Sequence, residues 1–498
     1  MPRHIRHYFA IAVALIMLGS AAAHAQPTSP LKWTRCSADL PAELECAQLQ
    51  VPLDYAVPWG ETITLGMNRL RATDAASRIG SLIFEAGGPG GAGTGELIAE
   101  VRFGNVFSPR LRKYFDIIGF DPRGVGTSTR VKCDPKIRNE EPSLFPRSQA
   151  EFDKLVQNTT AFGQSCLELT GPLLGHLDTE TVVQDLELVR QALGDDELNY
   201  LGLSYGSMVG AEYAERFPDT IRVMALDGAL DHSQSEDAWH LTEVHSVEDS
   251  FMRFSQWCSE TKECALYGKD IPAEYDKLIQ QANQNPIPAK CAETGACRAT
   301  VTGDDILKIF FAYLISKDGF APLGFPSWAD LATFLKRAME GDASAFAPRI
   351  MTSEVETEFS ADAILCADFP ATANLEFDHL AARHLVDEAL APHTRGGSQT
   401  WWVQTRCLGW PVPGQNPVRP LRVHGTPPIL IINATHDPST SIAWALEMLN
   451  QIPSAVLLVR EGDGHTSYRT TRPSRTRDAI DEYLITGKTP PPNTILPD

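Results

Sequence analysis

Short apolar runs alternate with stretches of helical periodicity through residues 80–230 of this chain. Four runs are apolar at most positions, namely SLIFEAGGPGGAG, FDIIGFDPRGVG, LNYLGL and IRVMALDGAL. Such runs are typical of strands that are buried on both faces of a sheet. Between two of them, TETVVQDLELVRQALG has apolar residues at helical spacing, and Gly194 ends that stripe. The alternation predicts a mostly parallel sheet with helices on both faces.

Strand patterns also precede and follow this region. The stretches ECAQLQVPLDY and ETITLGMNRLRA alternate in polarity around a Pro/Gly turn, which predicts two extended strands. The buried-strand pattern returns at PPILIINATHDPST and SAVLLVREGDGHTS, before a helix at RTRDAIDEYLI. Together these runs predict a mostly parallel, eight-stranded sheet. The Pro-rich tail TPPPNTILPD is predicted to be a loose end.

Residues 231–400 interrupt the alternation of strand and helix. They are richer in helix signals, aromatic residues and cysteines, and they lack strand-turn-helix units. We interpret them as a largely helical insertion that sits over the sheet as a cap. The predicted organisation is a signal peptide at 1–25, a first part of the core at 26–230, the cap at 231–400 and a second part of the core at 401–498.

Residues 1–25 have the pattern of a secretory signal peptide. Arg3 and Arg6 precede an apolar stretch that is too short for a comfortable membrane-spanning helix, and AHA at 23–25 supplies small residues for a signal peptidase. We expect cleavage after residue 25 and a secreted or periplasmic protein with no stable membrane association. The alternative is a retained membrane anchor.

All ten cysteines lie beyond this cleavage position, and an even number in an exported chain favours disulfides. The chain has no C-x2-C pair, so zinc is not expected. Spacing suggests three local loops and two longer ones, although the sequence leaves other connectivities open. The suggested pairs are Cys36–Cys46, Cys258–Cys264, Cys291–Cys297, Cys133–Cys166 and Cys366–Cys407.

Composition narrows the class of partner. Hydrophobic residues make up 43% of the 498 residues and charged residues 21%, as in globular proteins. The formal net charge of −20 disfavours nucleic acid and anionic membranes as partners. The sequence specifies no oligomeric state.

Ser204 is the candidate nucleophile. It stands in GLSYG, directly after the predicted strand LNYLGL and directly before a helix that starts near residue 206. A nucleophile elbow needs this strand-turn-helix context, and its flanking glycines relieve crowding around the strained serine. The alternative is a turn of small residues that lets the helix pack closely on the sheet, but it gives no reason for a serine.

A serine hydroxyl needs a base, and the base needs an orienting acid. The last two predicted strands end at Asp437 and His465, which gives the chain order Ser, Asp, His. These two residues are therefore the candidate acid and base. The other candidates are Asp463, Asp227 and Asp231 for the acid and His436 for the base.

The oxyanion of a tetrahedral intermediate needs N–H donors. The backbone N–H of Tyr205, directly after the nucleophile, is one candidate. The glycine-rich loop GGPGGAG at 87–93 exposes further N–H groups, and we choose Gly88 as the second donor. A phosphate-cradling loop is the alternative, but no G-K-[ST] follows.

GGPG at 87–90, DPRGVGTS at 121–128 and GLSYG at 202–206, in this order, resemble the α/β-hydrolase peptidases of the prolyl iminopeptidase and secreted tripeptidyl aminopeptidase group. The resemblance covers the core and includes AILCAD at 363–368. It implies an α/β-hydrolase fold with a cap after the sixth core strand. It also implies a serine exopeptidase, without metal or cofactor, that cleaves one to three residues from a free N-terminus of short peptides.

The sequence departs from this family in the predicted substrate-binding region. Iminopeptidases usually have His before GGPG, whereas this chain has Glu85 and Ala86, so Glu85 is a candidate for the first subsite. The family's cap acids, which hold the substrate ammonium, have no motif match here. The acidic stretch before Cys366 could serve, and a solvated helix face is the alternative reading. The candidate ammonium-binding residues in this acidic stretch are Glu354, Glu356, Glu358 and Asp362.

Two other function classes remain open at this point. A carboxyl-ester hydrolase would use the same triad on the same fold, because a fold does not fix the substrate. A non-catalytic binding module on a hydrolase fold would be expected to lack a member of the triad. All three candidates are present, at 204, 437 and 465.

Overall fold

The structure is a computed structural model, and it describes residues 30–369, 375–470 and 472–497. The predicted signal peptide lies outside these residues. The strands in the described ranges are β1 (Thr34–Arg35), β2 (Leu44–Pro52), β3 (Thr62–Leu70), β4 (Gly80–Glu85), β5 (Phe115–Asp121), β6 (Leu198–Leu203), β7 (Ile221–Asp227), β8 (Ile287–Pro288), β9 (Thr300–Val301), β10 (Leu430–His436), β11 (Val456–Asp463) and β12 (Thr494–Pro497).

The helices follow the predicted stripes closely. Asp178 caps α5 by accepting a hydrogen bond from Thr181 N–H, and Gly194 ends the helix in a left-handed conformation. The helices of the described residues are α1 (Gly93–Phe103), α2 (Pro109–Tyr114), α3 (Pro135–Asn139), α4 (Gln149–Thr170), α5 (Thr179–Leu193), α6 (Tyr205–Arg216), α7 (Glu236–Glu260), α8 (Ile271–Gln284), α9 (Gly303–Leu314), α10 (Trp328–Met339), α11 (Thr357–Asp368), α12 (Phe377–Leu390), α13 (Gln399–Arg406), α14 (Ile442–Gln451) and α15 (Arg475–Thr486).

One large sheet contains ten strands within the described ranges, in the order β1-β2-β3-β5-β4-β6-β7-β10-β11-β12. Strands β1 to β3 are antiparallel to their neighbours, and the strands from β5 to β12 are parallel. The predicted count of eight strands is therefore wrong. The two-residue β1 and the four-residue β12 add to the edges, and both are too short to show a strand period.

The sheet also shows that the prediction for the C-terminal tail is wrong. Thr494–Pro497 pairs in parallel with Leu458–Glu461 of β11 and is not a loose end. Backbone hydrogen bonds hold this strand, and Ile495 is 61% exposed. A strand held mainly by its backbone leaves little trace in the hydrophobic pattern.

The sheet is covered on both faces, as predicted. Along β4, Ile83 packs with α5, α6 and α14 on one face, while Leu82 and Phe84 pack with α1, α2 and α15 on the other. This alternation follows from the two-residue period of a strand. The apolar runs of the sequence are continuous because both faces are buried.

Helices α7 to α13 lie between β7 and β10, and we refer to them as the cap. An apolar cluster that includes Phe251, Phe310 and Trp328 joins several of them and also takes in Phe152 of α4. Helix α13 crosses the predicted boundary at residue 400. Within the described ranges, no helix combines the length and the apolar character needed to cross a bilayer.

Candidate active site

Ser204 lies on the turn between β6 and α6. Its backbone has φ 57° and ψ −123°, a conformation that is rare outside glycine. Its N–H donates to the carbonyl of Asp227 at 2.8 Å, which fixes the turn to the end of β7. At Gly206, a Cβ would lie 2.1 Å from Glu85 Oε2, so the following turn of the helix needs a residue without a side chain. The strand, the turn at Ser204 and the helix thus follow one another as predicted.

Asp437 and His465 meet at the same edge of the sheet. Asp437 follows β10 directly, His465 lies two residues beyond β11, and the imidazole Nδ1 is 2.9 Å from Asp437 Oδ2. The N–H groups of Ser439 and Thr440 both donate to Asp437 Oδ1 at 2.8 Å. The carboxylate is therefore fixed by the backbone of its own loop, and both of its oxygens lie within hydrogen-bond distance of the imidazole Nδ1, at 3.0 and 2.9 Å.

The charge state of Asp437 follows from these contacts. Burial alone would raise the pKa of this carboxyl, but the His465 imidazole and the N–H donors of Thr440 and Ser439 hold the pKa below its ordinary value. Asp437 is 1% exposed. It is thus an ionised, buried acceptor that selects the imidazole tautomer with a proton on Nδ1.

The rival acids have other partners. Asp463 accepts hydrogen bonds from Lys317 and Arg253, and Asp227 accepts from the N–H groups of Ser467 and Tyr468. Asp231 bonds Ser233 and Gln451, and His436 pairs with Asp249. Asp437 is therefore the acid of this set that contacts His465.

Ser204 and His465 flank the same short segment after β7. The Ser207 hydroxyl donates to the carbonyl of Ser204 and to that of Gly228, and a Cβ at Gly228 would lie 3.2 Å from His465 Cε1. In the described residues, no hydrogen bond joins the Ser204 hydroxyl to the imidazole. Such bonds are often long in unliganded enzymes and shorten with bound substrate.

The loop GGPG packs directly against the serine. A Cβ at Gly87 would lie 3.0 Å from Ser204 Cβ and 2.2 Å from the carbonyl oxygen of Leu203. Gly91 N–H donates to Gly87 O at 2.9 Å, which closes the loop into a turn around Gly88. The N–H of Tyr205 lies in the first turn of α6, where helical N–H groups have no intrahelical partner. Tyr205 thus follows Ser204 directly, and Gly87, the neighbour of Gly88, packs against it; the role of both as oxyanion donors stays a prediction.

Glu85 lies beneath this loop. It is 1% exposed, and its Oε2 accepts a hydrogen bond from Gly87 N–H at 2.9 Å. Burial raises the pKa of Glu85 to about 8, so the side chain is largely neutral at pH 7. This position suits support of the loop rather than the contact with substrate that the sequence suggested.

A cavity of about 190 Å³ lies between α11 and α13 and is bordered by Gly88 and Pro89. Glu358 and Asp362 line it. Asp362 is paired with Arg138 of α3 and Arg406 of α13, whereas Glu358 has only the half-exposed Arg349 as its cationic partner in the described residues. Of the other predicted acids, Glu356 also binds Arg349, and Glu354 is exposed.

The ten cysteines form five disulfides, which are the five suggested pairs. Cys366–Cys407 joins α11 to α13 beside the cavity. Cys133–Cys166 joins the segment before α3 to α4. The cavity walls near Gly88 are thus covalently linked.

Sequence reasoning missed two residues close to the site. Gln399, at the start of α13, bonds the oxyanion loop and the loop after Asp437, and no pattern in the sequence marked it. Asp368 ends the AILCAD segment and bonds the phenol of Tyr205. The segment was noted for its resemblance, but its partner could not be read from the sequence.

Known proteins resemble the chain over most of its length. Residues 81–273 match the model of the α/β-hydrolase fold family, and residues 393–495 match the model of the TAP-like protein family. The Tripeptidyl aminopeptidase of Streptomyces lividans is 30% identical over 92% of this chain and 85% of its own length. The Serine protease Hip1 of Mycobacterium bovis is 30% identical over 96% of this chain and 95% of its own.

A further relative is named for a different activity. Carboxylesterase B of Mycobacterium tuberculosis is 28% identical over 90% of this chain and 85% of its own length. This chain has a mostly parallel sheet with helices on both faces and a helical insertion after β7. With the two relatives at 30% identity, this chain therefore belongs to the prolyl iminopeptidase and tripeptidyl aminopeptidase family of α/β-hydrolases and is a serine peptidase.

Proposed function

We propose that this peptidase is an exported aminopeptidase that releases one to three residues from the free N-terminus of short peptides through an acyl-enzyme. The observation that carries the proposal is the 2.9 Å contact between His465 Nδ1 and Asp437, at the sheet edge where the turn at Ser204 lies. An oriented imidazole beside a serine on a strained turn is the arrangement that acyl transfer needs.

In the proposed reaction, Ser204 Oγ attacks the carbonyl carbon of the scissile peptide while His465 Nε2 takes the hydroxyl proton. The carbonyl electron pair moves to oxygen, where the N–H groups of Gly88 and Tyr205 stabilise the charge. The imidazolium then gives its proton to the leaving nitrogen as the C–N bond breaks. Water repeats the sequence, the ester bond to Ser204 breaks, and the N-terminal fragment leaves.

The exopeptidase mode is supported by the cap and its acids. The cavity of about 190 Å³ beside Gly88 and Pro89 holds little more than a few side chains, so a folded protein would not enter it. Glu358 projects a carboxylate into its lining, and its cationic partner Arg349 is 53% exposed. We assign Glu358 as the group that receives the substrate ammonium, because the neighbouring Asp362 is already neutralised by two arginines.

Export is supported by the disulfides. Five disulfides within the described residues fit an oxidising compartment. The segment 1–25 would direct the chain there and be removed after residue 25. N-terminal sequencing of the protein recovered from the periplasm or the medium tests this, and an intact residue 1 would contradict it.

The mass of the products from a short mixed peptide library tests the exopeptidase proposal. We expect fragments of one to three residues from free N-termini and no cleavage of the same peptides after N-acetylation. Glu358→Gln should raise KM for free peptides, whereas Glu354→Gln, at an exposed position, should leave it unchanged. Equal cleavage of free and acetylated peptides would overturn the exopeptidase mode.

A carboxyl-ester hydrolase is the second candidate function, and the relative named Carboxylesterase B favours it. The same triad would cleave esters. Turnover of simple acyl esters, with no product from any peptide of the library, would select this alternative. Failure of Ser204 to react with a fluorophosphonate probe would instead favour a binding module.

A further inference from the structure

Each residue of the turn at Ser204 is held by a contact from outside the turn. Ser204 N–H donates to Asp227 O, and the Tyr200 hydroxyl donates to Gly206 O at 2.7 Å. Between them, Tyr205 is the residue whose backbone N–H would face the oxyanion. Its side chain points away from the reacting atoms and into the protein, where it is 4% exposed.

The phenol of Tyr205 ends on Asp368. Its hydroxyl donates to Asp368 Oδ2 at 2.5 Å, and Thr179 Oγ1 lies 2.5 Å from the phenol oxygen. Asp368 is the last residue of α11 and is 0% exposed. A buried carboxylate costs much free energy unless donors surround it, so its contacts indicate a built site.

The donors around Asp368 come from three separate parts of the chain. Thr179, at the start of α5, donates from its backbone N–H and from its hydroxyl, both at 2.9 Å. Asn416 donates from Nδ2 at 3.1 Å and also binds Glu212 of α6 at 2.9 Å. With the Tyr205 hydroxyl, four donors fix the two oxygens of Asp368. The carboxylate can therefore hold the phenol in one place.

The cap contributes this carboxylate. The helix that carries Asp368 is tied to α13 by Cys366–Cys407 and reaches the core at Thr179. The residue thus joins the end of a cap helix to the residue after the nucleophile. Within the described residues, the hydrogen-bond partners of the Tyr205 hydroxyl are Asp368 and Thr179.

We infer that Asp368 is a positioning residue, which holds the Tyr205 phenol so that the Tyr205 backbone N–H points at the oxyanion. This inference rests on the proposed acyl-transfer function. A donor acts on the transition state only at its correct place, so a shift of the Tyr205 main chain would slow the chemical step more than it would weaken substrate binding. Asp368 itself touches no reacting atom.

The test compares wild-type protein, Tyr205→Phe, Asp368→Asn and the double variant. We expect each single variant to lower kcat about tenfold and to leave KM within about twofold of the wild-type value. Removal of one oxyanion donor lowers kcat by roughly 10²–10³-fold, and a donor that is only displaced retains part of its stabilising effect. The double variant should be about as slow as the slower single one, since both changes break the same link. The rate of fluorophosphonate labelling should fall in parallel.

Tyr213→Phe is the matched control. Tyr213 lies on the same helix, and its buried hydroxyl donates to Glu187 at 2.7 Å, away from the turn at Ser204. This variant should lose stability but keep kcat. An unchanged kcat in Tyr205→Phe, or an equal loss in Tyr213→Phe, would overturn the inference. If Asp368→Asn does not fold, Tyr205→Phe and Thr179→Val decide, and the latter should show a smaller loss of kcat.

If the proposed function itself is wrong, the result differs from a failure of the positioning role. The wild-type protein would then neither react with the fluorophosphonate at Ser204 nor release peptide fragments. An active wild-type protein with unaffected Tyr205→Phe turnover would contradict the positioning role alone.

Discussion

Gln399 of the cap donates a hydrogen bond from Nε2 to the carbonyl oxygen of Gly88 at 3.3 Å. Its amide oxygen accepts from the Ser439 hydroxyl at 3.2 Å, and Ser439 N–H in turn binds Asp437. One side chain at the start of α13 thus bridges the glycine-rich loop at Gly88 and the loop that follows Asp437, the candidate acid. The cap is therefore connected to both halves of the proposed catalytic machinery.

Gln399→Ala removes this bridge. We expect kcat/KM to fall about fivefold, since a neutral hydrogen bond contributes about 1 kcal/mol net. The unfolding midpoint in urea should change little, because Gln399 is half-buried at the cap edge. Peptide-anilide kinetics measure the effect, with Gln164→Ala on the exposed face of α4 as the control. Equal kinetics in the two variants would show that the bridge has no role.

Asp437→Asn tests the acid of the triad against its rival. The variant should lower kcat by about 10⁴-fold, because the imidazole loses the carboxylate that fixes its tautomer. Asp463→Asn breaks the ion pairs to Lys317 and Arg253 and should reduce stability while retaining most of kcat. Steady-state kinetics and thermal melts of both variants make the comparison. A larger loss of kcat in the Asp463 variant would show that Asp463, and not Asp437, is the acid.

Gly87→Ala should damage the oxyanion loop. The residue has φ +82°, and a new Cβ would lie 2.2 Å from the carbonyl of Leu203, so the loop must move away from Ser204. We expect more than a tenfold loss of kcat/KM together with lower stability. Gly194→Ala has φ +78° but no atom within 4 Å of the new Cβ, so it should cost about 1 kcal/mol and leave kcat/KM unchanged. Urea melts and kinetics on both variants separate the cost of a positive φ, which both variants share, from the displacement of the loop, which only Gly87→Ala causes.

Glu85 should make stability depend on pH. The pKa of its carboxyl is raised from 4.5 to about 8 in the folded protein, so folded Glu85 keeps a proton that it releases above pH 4.5 in the unfolded chain. The contribution of Glu85 to the free energy of unfolding should therefore fall as the pH rises from about 4.5 towards 8. Glu85→Gln keeps an acceptor for Gly87 N–H but cannot ionise. Urea melts at pH 5, 7 and 8.5 should show a smaller decline in the variant, and identical slopes would refute the assignment.

Removal of Cys366–Cys407 should destabilise the protein more than removal of Cys291–Cys297. The two pairs close loops with sequence separations of 41 and 6. Loop-closure entropy gives losses of about 4 and about 2 kcal/mol for paired alanine variants. The Cys366–Cys407 variant should also lose activity, because the bond joins the two walls of the cavity beside Gly88. Equal unfolding free energies in the two variants would contradict the loop-length argument.

The central part of this architecture was predictable from local pattern. LNYLGL, the turn at Ser204 and the helix after it are adjacent in sequence, so period and glycine spacing mark them directly. Asp437 and His465 were predictable for a related reason, since the carboxyl ends of parallel strands meet at one edge. The edge strand Thr494–Pro497 was not, because it is held mainly by backbone hydrogen bonds that impose no side-chain period.

The sequence by itself determined which residues stand at the strand ends, since burial on both faces of a sheet requires the apolar runs that reveal them. Only the tertiary structure decided which distant side chains support them. Asp368 reaches Tyr205 and Gln399 reaches Gly88 across more than a hundred residues of chain, and Asp463 is neutralised by Lys317 and Arg253. A hydrogen bond between such residues depends on how the cap packs onto the core, and no local period records that packing.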